Sequence, residues 1–389
     1  MEFEPWYLSA LPVLFAVGWW ARGYEARVRA VDQAAAPQSL FRGLRLLLSE
    51  QPDRAIDAFI EVVKLDPETI ELHYALGSLF RRQGEIDRAV RIHNYLLSRA
   101  DLPAAERANA LAELGQDYLK GGMLDRAESA FSRLLDTREH RFEALRSLLR
   151  VYQMEREWAR AIECARQLEA EAGETHQVAT AHFHCELAER AIAAGDLDQA
   201  SAQLEAALQA HRKSVRTAIL AGDVATRRER RADAIGHWLH IVAEAPEYAP
   251  LVMDRLMAAL DAEGRRPEAI ALLRRSLQEH PSVDLLDQSY RWIREWEGAA
   301  SAEALLREEL KRHPSLLGFE RLLAVRSGQD ATDPELLLLR GLIQAHAQKM
   351  ARYRCDRCGF RSREFYWNCP GCSNWDSYPP RRIEELEVT

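Results

Sequence analysis

Apolar positions recur along this chain at helical spacing, in paired short runs separated by turn residues. Gly43 to Pro67, GLRLLLSEQPDRAIDAFIEVVKLDP, shows the unit. Leu44, Leu47 and Leu48 share one face of a first helix, and Ala55, Phe59, Val62 and Val63 one face of a second. Gln51-Pro52-Asp53 breaks the chain between them, and Asp66-Pro67 ends the unit. Gly43 and Ala55 are small where the helices must touch. Such a pair cannot bury its own apolar face and needs a neighbour of the same kind. No clear strand alternation appears before residue 350, so the bulk reads as all-α.

The neighbours are supplied in series. The small residue of the second helix returns at Ala55, Ala89, Ala127, Ala161, Ala200, Ala234, Ala269 and Ala302, in steps of 34, 38, 34, 39, 34, 35 and 33 residues. Twelve residues upstream lie Gly43, Gly77, Gly115, Ala188 and Gly222, with Leu149, Met257 and Tyr290 in the remaining units. Gly84, Gly122, Gly195 and Gly264 fall in the turns. The pattern resembles the tetratricopeptide repeat, whose period is 34 residues. It predicts a repeat solenoid over residues 39–350. Leu316 to Arg326 and Glu335 to Met350 would form capping helices, made polar outside by Arg321, Arg326, Arg340 and Lys349. Such arrays hold peptides or proteins in a groove, and Arg42, Arg45, Arg81, Arg82 and Lys120 are candidate groove contacts; the bland alternative is a solvated face.

The start of the chain has a different pattern. Trp6 to Ala21, WYLSALPVLFAVGWWA, carries no charge. Sixteen helical residues span roughly 24 Å, slightly short of the ~30 Å hydrocarbon core. Aromatic residues stand at both ends, Glu2 and Glu4 precede the stretch, and Arg22, Arg27 and Arg29 follow it. This predicts a transmembrane anchor within residues 1–21, with the remainder in the cytoplasm, and a juxtamembrane linker over 22–38. A signal peptide fits poorly, for want of a basic start and a small-residue cleavage site. A buried apolar helix is the other alternative.

Composition changes the picture little. The 389 residues are 47% hydrophobic and 29% charged, and the net charge of −8 speaks against a non-specific nucleic-acid binder. Cys164 and Cys185 stand alone and read as small core hydrophobes. His182 and His184 in AHFHCELAE tempt a metal reading, but residues two apart on a helix diverge by about 200°. Trp158, Trp238, Trp292 and Trp296 read as inter-repeat packing. No Walker loop, His-Glu-x-x-His or Gly-x-Ser-x-Gly motif is present.

The sharpest chemistry lies in RYRCDRCGFRSREFYWNCPGCSNW, Arg352 to Trp375. Cys355-x2-Cys358 and Cys369-x2-Cys372 are ten residues apart, spacing that lets two turns present four thiolates to one tetrahedral ion. Gly359 and Gly371 suit left-handed turn positions. Tyr353, Phe360, Phe365, Tyr366, Trp367 and Trp375 would form a small aromatic core. A knuckle over 351–378, with 379–389 as a tail, is too short to fold on apolar burial alone, so a metal must stabilise it. Structural zinc is expected, with iron as runner-up and a redox disulfide pair as a third reading. Arg352, Arg354, Arg357, Arg361 and Arg363 form a basic cluster that suits a nucleic-acid ribbon, a docking face for the solenoid, or a face for a protein partner.

Taken together, anchor, repeats and knuckle resemble the lipopolysaccharide assembly protein B (LapB) family of Gram-negative bacteria. FRGLRLLLSEQPDRAIDAF, GSLFRRQGEIDRAVRIHNYLL, AHFHCELA, RYRCDRCGF and YWNCPGC carry the resemblance, which spans nearly the whole chain. It implies one inner-membrane helix, cytoplasmic tetratricopeptide repeats and a rubredoxin-like domain whose metal ligands are Cys355, Cys358, Cys369 and Cys372. It implies an adaptor, not a catalyst, that helps the membrane protease FtsH degrade the deacetylase LpxC. A regulator variously called YejM, PbgA or LapC would meet the anchor in the bilayer. Nucleic acid is not expected as a partner, and a homodimer is left open. An electron-transfer protein and a generic envelope-assembly scaffold are the alternatives.

Overall fold

The computed structural model describes residues 69–329, 334–349 and 352–383. The expected anchor, the linker, the Gly43–Pro67 unit with Arg42 and Arg45, and the last six residues lie outside the described residues. No described helix is long and apolar enough to cross a membrane. The chain divides into two compact units, Met1–Glu174 and Thr175–Thr389.

Among the described residues the first unit contains three antiparallel helix pairs: α1 (Ile70–Arg82) with α2 (Ile86–Ser98), α3 (Ala104–Lys120) with α4 (Leu124–Ser132), and α5 (Arg141–Glu155) with α6 (Trp158–Ala172). The second contains five: α7 (Gln177–Ala194) with α8 (Leu197–Ala210), α9 (Val215–Arg227) with α10 (Arg231–Glu244), α11 (Ala249–Ala262) with α12 (Arg266–Glu279), α13 (Val283–Trp296) with α14 (Ala299–Arg312), and α15 (Leu316–Gln329) with α16 (Pro334–Lys349). A 3-10 turn, Pro246–Tyr248, precedes α11.

The repeat spacing has a simple steric cause. Ala89, Ala127, Ala161, Ala200, Ala234, Ala269 and Ala302 are completely buried. The small residue upstream makes room for a ring sixteen positions later. A Cβ on Gly77 would sit 2.4 Å from the His93 ring, and one on Gly115 2.8 Å from Phe131. On Gly222 it would reach 2.3 Å from the Trp238 indole, which therefore packs within its own repeat. Where the upstream residue is large, its buried counterpart is small or aliphatic: Leu149 with Ala165, Met257 with Leu273, Tyr290 with Leu306. Gly84, Gly122, Gly195 and Gly264 all take positive φ, between 71° and 82°, which L side chains rarely adopt.

Ion pairs join first helices of successive repeats. In the first unit Arg81 of α1 reaches Glu113 (2.6 Å) and the buried Asp117 (2.8 Å) of α3, and Asp117 also holds the buried His93 ring. Arg81 is thus committed to the scaffold, whereas Arg82 and Lys120 are exposed. In the second unit Arg216 of α9 binds Glu186 (2.8 Å) and Glu189 (2.9 Å) of α7, and Asp223 of α9 binds Arg255 of α11 (3.1 Å). Asp254 of α11 then binds Arg291 of α13 (3.0 Å), and Asp287 of α13 binds Arg321 of α15 (2.6 Å).

Of the four residues expected to make a polar cap, the side chains of Arg326 and Lys349 lie outside those described, and the other two are engaged within the repeats. Arg321 is drawn to Asp287, and Arg340 to Glu320 at 3.2 Å. Leu337, Leu338, Leu339 and Leu342 of α16 are left exposed, so the terminal helix presents apolar side chains to solvent.

Candidate metal centre

After α16 the chain forms a small ribbon. β1 (Tyr353–Arg354) pairs antiparallel with β2 (Arg361–Ser362), placing Tyr353 opposite Ser362 and Arg354 opposite Arg361. Two matching knuckles follow from local hydrogen bonds. The Gly359 amide donates to the Cys355 carbonyl (3.0 Å), and the Ser373 amide to that of Cys369 (2.8 Å). The amides of Cys355 and Cys369 donate to the carbonyls of Phe360 and Asn374, both at 2.9 Å. The residue after each second cysteine turns left-handed: Gly359 at φ 74° and Ser373 at φ 54°. Gly371 does not take that role. It is small because a Cβ there would meet Phe360 at 3.0 Å.

The four cysteine sulfurs converge, all within 4.8 Å of one another. Cys355 Sγ lies 3.8 Å from Cys372 Sγ, and Cys358 Sγ 3.7 Å from Cys369 Sγ. A tetrahedron with metal–sulfur bonds of about 2.3 Å has edges of about 3.8 Å, whereas a disulfide is about 2.05 Å long. The donor set therefore fits one four-coordinate ion and no disulfide. Both of these pairs run between the two knuckles, so one ion would tie the knuckles together.

The surroundings prepare some of these sulfurs for ionisation. Burial opposes thiolate formation at Cys355, but the hydrogen bond it shares with Ser377 and those from the amides of Cys358 and Arg357 outweigh it and lower its pKa to about 6. At Cys369 burial prevails and raises the pKa to about 12. Four negative sulfurs at these separations repel strongly, so full deprotonation requires a cation.

The aromatic residues divide between two tasks. Tyr353, Phe365 and Tyr366 pack with Cys355, Cys369 and Cys372 around buried Tyr378. Trp367 and Trp375 leave this small core for the repeats, and Phe360 is exposed. Trp375 stacks on His182 of α7, 4.6 Å between centroids, and Asp376 accepts a hydrogen bond from His182 Nε2 at 2.8 Å. Trp367 stacks on Tyr248 at 5.8 Å and 7°. Tyr353 Oη donates to Asp284 of α13 at 3.1 Å, and Arg382 binds the same carboxylate at 2.6 Å. Ile383 is buried and its amide donates to the Arg352 carbonyl, so the packing continues past Tyr378 into the expected tail.

The suspicious AHFHCELAE segment is therefore not a ligand set. His182 holds the ribbon, His184 meets Gln203 on α8, and Cys185 bonds Thr217 on α9. Burial raises the thiols of both Cys164 and Cys185 to about 11, as core residues. His182, Tyr248, Asp284, Tyr378 and Arg382 were not predicted as parts of the seat. Asp284 gave no signal, because an acidic residue in a first helical turn is ordinary.

Helical pairs of this spacing with a four-sulfur ribbon define a tetratricopeptide-repeat protein with a rubredoxin-like metal-binding domain. The models of those two families match residues 42–107 (tetratricopeptide repeat) and 353–379 (rubredoxin metal binding domain). The chain is 33% identical to lipopolysaccharide assembly protein B of Escherichia coli strain K12, over 96% of this chain and 97% of that one. It is 28% identical to the protein of the same name from Haemophilus influenzae, over 96% and 98%. The chain belongs to the lipopolysaccharide assembly protein B family.

Proposed function

We propose that this protein is a non-enzymatic adaptor in lipopolysaccharide synthesis, anchored in the inner membrane through Trp6 to Ala21 with its repeats in the cytoplasm. The repeats hold the deacetylase LpxC for the membrane protease FtsH, and the inner-membrane regulator YejM (PbgA, LapC) restrains the process. Tethering confines adaptor and protease to one plane and raises their effective concentration. One structural ion, zinc, is held by Cys355, Cys358, Cys369 and Cys372, where it cross-links the two knuckles.

The observation that carries this reading is the seat of the four-sulfur ribbon on the repeats. Catalytic zinc keeps an open coordination position, whereas four protein sulfurs fill a tetrahedral shell. The residues around that shell are spent on adhesion, by stacking on His182 and Tyr248 and by pairing with Asp284. A site built in this way suits a joint that stiffens a docking surface. The test is co-isolation from detergent-solubilised membranes. Protease and deacetylase should come down together with the full chain and be lost with Cys369→Ser. Recovery of neither with the intact chain would refute the adaptor role. A visible charge-transfer band in the purified protein would replace zinc by iron and favour electron transfer.

A further inference from the structure

Five of the ribbon's arginines, Arg352, Arg354, Arg357, Arg361 and Arg363, are not used to seat it. That task falls to Trp367, Trp375, Asp376, Tyr353 and Arg382. Arg354 and Arg361 stand directly opposite each other across β1 and β2, a like-charge pairing that costs a sheet stability. Successive residues of a strand point to opposite faces. Tyr353 and Ser362 therefore take the other face, and Tyr353 bonds Asp284 there. The arginine face is turned away from the repeats. Arg352 and Arg363 lie just beyond the opposed pair, and both are exposed, as are Arg357 and Arg361. None of the five forms an ion pair with a described carboxylate, in contrast to Arg216, Arg255, Arg291 and Arg321 of the repeats. Residues 352–383 hold seven arginines against Asp356, Glu364 and Asp376, and with four thiolates and one divalent ion the formal charge is still +2, in a chain of −8. Phe360, 38% exposed, packs against Gly371 at the neighbouring knuckle.

We propose that this face docks on an anionic lipid surface. The inference rests on the membrane-tethered location given above. A retained like-charge pair is explained if an anionic layer neutralises it. Guanidinium groups bind phosphate in bidentate fashion, and an exposed ring suits the headgroup boundary. A bound peptide draws its specificity from side-chain pockets, whereas a headgroup layer needs only clustered charge and an aromatic residue. The arginine face offers that charge, and the exposed Phe360 ring lies at the neighbouring knuckle.

The full-length chain is placed in nanodiscs of phosphatidylcholine, with or without about a third phosphatidylglycerol, and amide hydrogen exchange is read over residues 352–363. Protection is expected only in the anionic discs, and is expected to disappear in high salt. Each basic residue near such a surface changes partitioning about fivefold, so Arg361→Gln with Arg363→Gln should weaken binding about 25-fold while metal content stays unchanged. Equal exchange in both lipids would overturn the proposal. Protection by polyglutamate but not by anionic discs would also overturn it, and would assign the face to an acidic protein segment. Failure of the chain to enter discs would count against the tether alone. Co-sedimentation with vesicles of the same two compositions then decides the arginine face, with binding to the anionic vesicles only as support and equal or no binding as refutation.

Discussion

Replacing Asp284 by alanine should loosen the ribbon on the repeats without emptying its metal site. This carboxylate on α13 accepts from the Arg382 guanidinium at 2.6 and 2.9 Å and from Tyr353 Oη at 3.1 Å. It thereby receives both ends of the ribbon. Its side chain is 20% exposed and that of Arg382 is 12% exposed, so water screens the pair only in part. Hydrogen bonds to a charged group contribute about 1.5–3 kcal/mol each, and removing one partner of a mostly buried pair costs about 3–5 kcal/mol. Taking about 3 kcal/mol for Asp284→Ala, the undocked population should rise by about 150-fold. The stacks on His182 and Tyr248 remain, so the ribbon should dock still, but open far more often. Hydrogen exchange over Tyr353–Ser362 should accelerate accordingly, while the metal content stays at the parental value. Asp284→Asn keeps an acceptor for Tyr353 and should cost about half as much. Parental exchange in the Asp284→Ala ribbon would show that the carboxylate does not seat it.

Further outcomes are expected elsewhere. Cys369→Ser should abolish stoichiometric metal binding by mass spectrometry and expose Tyr378 and Trp375, because the sulfur pairs cross between knuckles. Gly77→Ala and Gly222→Ala should each lower stability by about 1–3 kcal/mol in denaturant titrations, since the added methyl overlaps the His93 or Trp238 ring. At Asp223 burial outweighs the attraction of Arg255 and raises the carboxyl pKa, so this group favours the folded state when protonated. Its contribution weakens as pH rises through the carboxylate range. Asp223→Asn should therefore be no less stable than the parent at neutral pH, with the difference shrinking in acid; a large loss at neutral pH would contradict this.

The repeat array was legible because its signal is steric. One alanine per turn of the repeat must be small, and the structure buries it completely at seven successive positions from Ala89 to Ala302. The sulfur cluster was legible for a similar reason, since two Cys-x2-Cys turns bring four donors to one point. The exchange of bulk between Gly222 and Trp238, or Leu149 and Ala165, follows a sixteen-residue offset that an inspection of helix faces does not reveal. The seat of the ribbon was illegible because its residues are remote in sequence. His182 and Asp376 are 194 positions apart, and each looks ordinary in its own segment. The partners of Arg321 and Arg340 were illegible because charge in the sequence does not say which way a guanidinium turns; both found carboxylates on neighbouring helices.

The ribbon touches α7 through His182, the turn before α11 through Tyr248, and α13 through Asp284. A stack held only by nearest neighbours behaves like a coil spring, each repeat free to tilt slightly against the next. A brace fastened at three points along such a spring removes that play over the stretch it crosses. The ion that keeps the brace rigid would then govern the compliance of helices it never touches, and metal starvation would be felt first as slackness between α7 and α13.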